Sequence, residues 1–282
     1  MIKDYLLLTK PGIIFGNLVT ALAGFFLASK GSIDLEKLFL MLLGLALVIA
    51  AGCVCNNCID KESDLKMERT KHRVAAQKSI GTLQTLIFAS ILAITGFCVL
   101  YTVNVLALEL AFSGLFVYVV LYSFLKHITS YATLVGSISG SIPPVVGYVA
   151  AKGVLDITAC ILFCIVVLWQ MPHFYAIALF RFDDYKNASI PVMPVISGEE
   201  KTKEAIVYWV IGFALTVPLL WMVGEVGIGY LVTMSLLALY WLYEGIRGLY
   251  TKESVVWAKK MFRISLQVIM ALSLMISFDR VS

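Results

Sequence analysis

Residues 35–64 read LEKLFLMLLGLALVIAAGCVCNNCIDKESD, an apolar run that passes without a break into an acidic segment. A bilayer-crossing helix needs about 20 mostly apolar residues, and residues 37–56 supply them. Just beyond, Asn57, Asp60 and Asp64 follow at spacings of three and four. If the helix continues, about 100° per residue puts all three on one face within roughly 60° of arc. Two carboxylates and an amide oxygen so placed repel one another when empty and form a hard oxygen-donor set. They are expected to hold a divalent cation. Mg²⁺ takes one or two protein carboxylates and completes its shell with water and substrate phosphate. The bases that follow, Arg69, Lys71 and Arg73, suit phosphate oxygens that the metal leaves uncovered, arginine by bidentate contact.

The same apolar signal recurs along the chain. Eight further runs lie near residues 13–29, 82–102, 105–125, 132–151, 157–180, 204–223, 226–246 and 260–278, so the expected fold is an all-α polytopic membrane bundle of about nine helices. The run at 132–151 contains Pro143-Pro144 and several glycines and is expected to be broken. Of 282 residues, 60% are hydrophobic and 14% charged, with a mean hydropathy of +0.91. Soluble domains run nearer 45–50% apolar and about 25% charged. That surplus leaves no room for a sizeable soluble domain, and residues 1–282 are read as a single integral membrane domain. The first run follows Lys10-Pro11 without a small-residue cleavage site and reads as a first span, not a cleaved leader. The net charge of +4 is too modest for a nucleic-acid footprint.

With the N-terminus in the cytoplasm, 18 of the 22 Lys and Arg fall on the cytoplasmic side. They are Lys3, Lys10, the six from Lys61 to Lys78, Lys126, Arg181, Lys186, Lys201, Lys203, Arg247, Lys252, Lys259, Lys260 and Arg263. Only Lys30, Lys37, Lys152 and Arg280 lie opposite. The positive-inside rule therefore expects the N-terminus inside and the C-terminus outside. Cys53, Cys55 and Cys58 resemble a soft-metal cluster, but in a helix Cys53 and Cys55 point apart, and they read as small apolar residues.

A second polar segment follows the sixth run. It contains Gln170-Met171-Pro172-His173-Phe174, then Arg181-Phe182-Asp183-Asp184-Tyr185, then Ile190-Pro191. Four runs separate the two polar segments, an even number, so both share one face of the membrane. Adjacent Asp183 and Asp184 cannot both face one ion from a helix. His173 lies within an apolar run, where a histidine is either hydrogen-bonded or functional. Lys126, after the fourth run, is either a topology anchor or a diphosphate ligand, and spacing alone favours the anchor.

Asn57-x-x-Asp60-x-x-x-Asp64 resembles the first aspartate motif of the intramembrane UbiA-type prenyltransferases. The continuation Asp64-x-Lys66-Met67-x-Arg69-Thr70-x-x-Arg73 resembles more narrowly the protohaem IX farnesyltransferases, or haem O synthases. So do Thr9-Lys10-Pro11-Gly12-Ile13, the stretch from Gly140 to Gly147, Gln170-Met171-Pro172-His173-Phe174, and Arg181-Phe182-x-Asp184-Tyr185. The likeness runs from residue 9 to about 195. Two departures stand out. Lys126-His127 replaces the Lys-Arg frequent in that family, and only Asp184 of the acidic pair fits the second motif.

The resemblance implies transfer of a farnesyl group from farnesyl diphosphate to a vinyl group of haem B with addition of water, giving haem O. It implies Mg²⁺ as cofactor, with haem B a substrate. Asn57, Asp60, Asp64 and Asp184 are the implied metal ligands and catalytic residues. Arg69, Arg73, Lys126 and Arg181 would grip diphosphate, and His173 would ligate or orient haem. It implies a bacterial inner-membrane enzyme surrounded by lipid, its site facing the cytoplasm, with haem A synthase or terminal oxidase assembly as partner. Three other readings compete. A related enzyme acting on a quinone or chlorophyll ring shares the metal motif but not the Met67 and His173 stretches. A CDP-alcohol phosphotransferase needs a D-G-x-x-A-R lead-in that is missing before Asp60. A transporter or haem carrier would place its charges nearer the bilayer midplane between inverted repeats.

Overall fold

The computed structural model describes residues 2–74, 76–77 and 80–281; Lys78, one of the cations counted above, lies outside them. Its long helices are α1 (Pro11–Ser29), α2 (Leu35–Ile59), α3 (Thr82–Val103), α4 (Val105–Leu125), α5 (Ala132–Lys152), α6 (Ile157–Phe180), α7 (Glu199–Met222), α8 (Ile228–Leu249) and α9 (Ser254–Phe278). Every expected run is helical. Eight of them are apolar enough to span a bilayer. The exception is α8, where Tyr230, Thr233, Tyr240, Tyr243 and Glu244 dilute the hydropathy, although 22 residues would reach about 33 Å. The chain is an integral membrane protein.

Helix starts follow capping chemistry. Asp34 accepts from the Lys37 N–H, Asn104 from the Ala107 N–H, and Asp156 from the N–H groups of Thr158 and Ala159. Pro11 occupies the first turn of α1, where its missing N–H costs nothing. The expected break in α5 falls at Ser141, between Ala132–Gly140 and Ile142–Lys152. Gln170 of α6 covers it, donating to the Ser137 carbonyl at 3.2 Å and the Ser141 hydroxyl at 2.9 Å.

The helices form a ring in chain order that closes where α9 packs on α1, while α5 crosses to α1 and α6 to α9. The α1–α5 contact is close because it lacks side chains. A Cβ on Gly24 would strike the Pro144 carbonyl oxygen, and one on Gly147 the Ala21 carbonyl oxygen. Close approach of this kind replaces the hydrophobic drive that lipid cannot supply.

The two ends of the bundle differ in polarity. At one end, Glu225 pairs with Lys30 at 3.4 Å and accepts from the Thr158 hydroxyl at 3.0 Å. Lys152 pairs with Asp156 at 2.8 Å, and Arg280 donates to the Phe26 carbonyl at 2.8 Å. The two polar segments lie together at the other end.

Candidate functional site

Helix α2 ends at Ile59, Asp60 caps it, and a short helix, Lys61–Leu65, continues its course. Asp60 N–H bonds back to Asn56 O at 2.9 Å and Asp64 N–H to Asp60 O at 2.7 Å, so the turn barely loosens between the two acids. Asn57, Asp60 and Asp64 are consequently on one side and buried, at 2%, 6% and 4% exposure. Buried carboxylates need compensation. Asp60 meets the Lys126 ammonium, with His127 Nε2 behind at 3.8 Å. That oxygen makes no hydrogen bond of ordinary angle, so the contact is best read as an ion pair. Burial and the neighbouring Lys126 both lower the pKa of His127. Asp64 accepts from Arg73 Nη1 at 3.0 and 3.1 Å.

The loop after Asp64 is folded back over the acids. The Thr70 hydroxyl donates to Asp64 O at 3.0 Å, and Met67 packs with Ala188, Ile190 and Tyr185 of the second segment. At the seam, the Glu68 N–H donates to Asp184 Oδ1 at 2.9 Å. The two polar segments, 116 residues apart, therefore meet. Asp184 is half-buried while Asp183 faces outward. Arg69 and Arg181 are exposed at the rim.

Two polar residues join the site from elsewhere. Lys10 donates to Asn56 Oδ1 at 2.8 Å, and Asn56 in turn donates to the Ser123 hydroxyl at 3.1 Å. Ser123 follows a π-helical turn, Val117–Tyr122, whose wider winding re-aims the end of α4; Tyr118 and Tyr122 stack there at 5.6 Å. Burial, then repulsion from Arg73, lowers the Lys10 ammonium to about 8. The Lys-Pro motif at residues 10–11 was visible in the sequence, but only the fold brings Lys10 within reach of Asn56.

Asn57 tests the fit of a cation. Its Nδ2 is committed to the Leu8 carbonyl at 2.8 Å, while its Oδ1 is buried without a partner. A buried, unsatisfied oxygen beside two carboxylates suits a hard metal ion. Among the described residues no three His, Cys, Asp or Glu side chains converge as a metal cluster by themselves; Lys126 and Arg73 neutralise the carboxylates instead.

A family model described as the UbiA prenyltransferase family matches residues 17–267. The chain belongs to that family. This UbiA prenyltransferase is 47% identical to the protoheme IX farnesyltransferase of Edwardsiella ictaluri, over 99% of this chain and 95% of that one. It is 48% identical to the protein of that name from Photorhabdus laumondii, over 99% and 96%. A solved digeranylgeranylglyceryl phosphate synthase matches its fold with a TM-score of 0.82 at 21% identity, covering 98% of both chains. A UbiA homologue from Archaeoglobus fulgidus bound to GPP and Mg²⁺ matches at 0.72 and 14%, covering 97% and 99%.

In this prenyltransferase His173 stands apart from the acids. It lies in α6, eight residues before Arg181, or about 12 Å along the helix. Its Nδ1 is 2.7 Å from the Ser265 hydroxyl of α9, and its ring stacks on Trp169 at 4.8 Å and tilts against Phe262 at 4.9 Å. Ser265 lies in a run read only as a span, and no local pattern marks it.

Proposed function

We propose that this chain transfers a farnesyl group from farnesyl diphosphate to a vinyl group of haem B, with addition of water, giving haem O. The single observation that carries the reading is the meeting of the two acidic segments, Glu68 N–H on Asp184, beside the Asp60–Lys126 and Asp64–Arg73 pairs. Acids for a metal and bases for phosphate are thereby gathered at one end of an apolar bundle. The names of the full-length relatives supply the acceptor, and the Mg²⁺ and GPP bound by the Archaeoglobus homologue support a metal–diphosphate site.

Asn57, Asp60, Asp64 and Asp184 would hold Mg²⁺. Bound there, the metal would neutralise charge building on the diphosphate. Lys10, Lys126 and Arg73, with Arg69 and Arg181 at the rim, attract the diphosphate and stabilise it as it leaves with the electron pair of the allylic C–O bond. The vinyl carbon attacks the freed allylic carbon. The cation left next to the porphyrin ring takes up water and releases a proton. Apolar walls keep water from the allylic cation before the vinyl reaches it. His173 orients the haem through its iron.

Residues 1–282 act as one domain in the bacterial inner membrane, with the N-terminus and the acidic site on the cytoplasmic side and the C-terminus outside. The product serves assembly of haem–copper terminal oxidases, through haem A synthase or the oxidase assembly machinery. Purified protein incubated with haem B, farnesyl diphosphate and Mg²⁺ should release pyrophosphate and yield a porphyrin heavier by a farnesyl group plus one hydroxyl group. Pyrophosphate release without a porphyrin adduct would overturn the haem acceptor; no release at all would overturn the prenyl-transfer reading.

A further inference from the structure

His173 is 9% exposed and Ser265 is fully enclosed. A neutral imidazole carries one proton and one bare nitrogen, and the partner of one nitrogen decides the state of the other. The Ser265 hydroxyl has a single hydrogen, which it donates to the Phe262 carbonyl one turn earlier at 2.6 Å. With its hydrogen on that carbonyl, the Ser265 oxygen accepts from Nδ1 at 2.7 Å, the arrangement in which the ring proton sits on Nδ1. Nε2 is left with its lone pair, and among the described residues none hydrogen-bonds to it.

The ring is also held in orientation. Trp169 lies against it at an interplanar angle of 26°, Phe262 at 33°, and Phe174 meets it edge-on at 66°. Trp169 Nε1 donates to the main-chain oxygen of Ser265 at 2.7 Å. One residue thus fixes both the imidazole and the indole stacked on it. A bare ring nitrogen, with the other nitrogen donating to a fixed oxygen, is how proteins prepare histidine for a metal.

We infer that Ser265 is a positioning residue that holds His173 in its Nδ1–H tautomer and presents Nε2 to the iron of the porphyrin acceptor. This rests on the haem reading above. In the folded state the Ser265 oxygen strengthens Nε2 as a donor by drawing on the Nδ1 proton.

The test uses the full-length protein with ferrous haem B added, read by the iron–histidine stretch in resonance Raman and by haem affinity. Wild type should show the band and His173→Ala should lose it. Ser265→Ala should keep the band at lower frequency and bind haem about 10–100-fold more weakly, the usual cost of removing a ligand's orienting partner. Ser265→Thr, which keeps a hydroxyl, should restore both, and Ser265→Cys, a poor acceptor of similar size, should resemble Ser265→Ala if the alanine variant does not fold. A wild-type band and affinity in Ser265→Ala or Ser265→Cys, with the band lost in His173→Ala, would overturn the role of Ser265 alone. Absence of the band in wild type, or its persistence in His173→Ala, would overturn the iron-ligand reading beneath it.

Discussion

The Glu68 main-chain N–H donates to Oδ1 of Asp184 at 2.9 Å, joining two loops separated by 116 residues of chain and four membrane spans. The contact uses a carboxylate oxygen, so charge and clasp are separable. Asp184→Asn keeps an acceptor for Glu68 and should leave the 61–80 loop as protease-resistant as in wild type. Its turnover should still fall about 10²–10³-fold, as when a group aimed at developing charge is removed. Limited proteolysis and pyrophosphate release measure the two effects side by side.

Asp60 and Lys126 form a buried pair, and removing either partner leaves a lone charge. Asp60→Ala or Lys126→Met alone should each cost about 3–5 kcal/mol in thermal stability, while the double variant should recover much of that loss. None of the three should turn over substrate, although all should insert into the membrane. Full activity in the double variant would remove Asp60 from the metal site.

Asn57 Oδ1 is buried in the acidic patch without a hydrogen-bond partner. Asn57→Ala should raise the Mg²⁺ concentration for half-maximal pyrophosphate release by about tenfold or more, with the farnesyl diphosphate requirement changed far less. Chelation with EDTA should abolish release in wild type, and added Mg²⁺ should restore it.

The ammonium of Lys10 is lowered to about 8, first by burial and then by Arg73. In the empty site it is charged below that pH and neutral above it. A diphosphate favours the charged form, so binding above pH 8 must draw a proton onto Lys10 and should weaken as pH rises. Calorimetry at pH 8.5 in buffers of different ionisation enthalpy should register this proton uptake, and Lys10→Met should abolish it.

Gly147 of α5 lies against the Ala21 carbonyl of α1. Gly147→Leu forces a side chain into main-chain atoms that cannot swing aside. A loss of about 1–3 kcal/mol or more is expected, read as a lower unfolding temperature in detergent. Gly16 of α1, with open space around it and an ordinary helical backbone, is the internal comparison for crowding.

The membrane spans were legible because a bilayer imposes one length and one polarity on every crossing segment, as at residues 157–180, where the expected and observed ends coincide. Ends outside the bilayer were less legible. Helix α9 begins at Ser254, six residues before the expected 260, because Trp257 Nε1 donates to Glu244 O and Lys260 pairs with Glu244. Those tertiary partners stabilise charged helical turns that hydropathy reads as loop. In the site, Asn57, Asp60 and Asp64 were readable from their local spacing. The Lys10–Asn56–Ser123 chain and the Ser265–His173 contact were not, since each joins residues dozens of positions apart, and no local period records such a meeting.

The ion pairs around Glu225 bind four segments at the end of the bundle remote from the aspartates. Those four segments are tied to one another through a single carboxylate, so Glu225→Gln should loosen that end and lower the unfolding temperature in detergent while leaving the acidic end, held by its own contacts, in place.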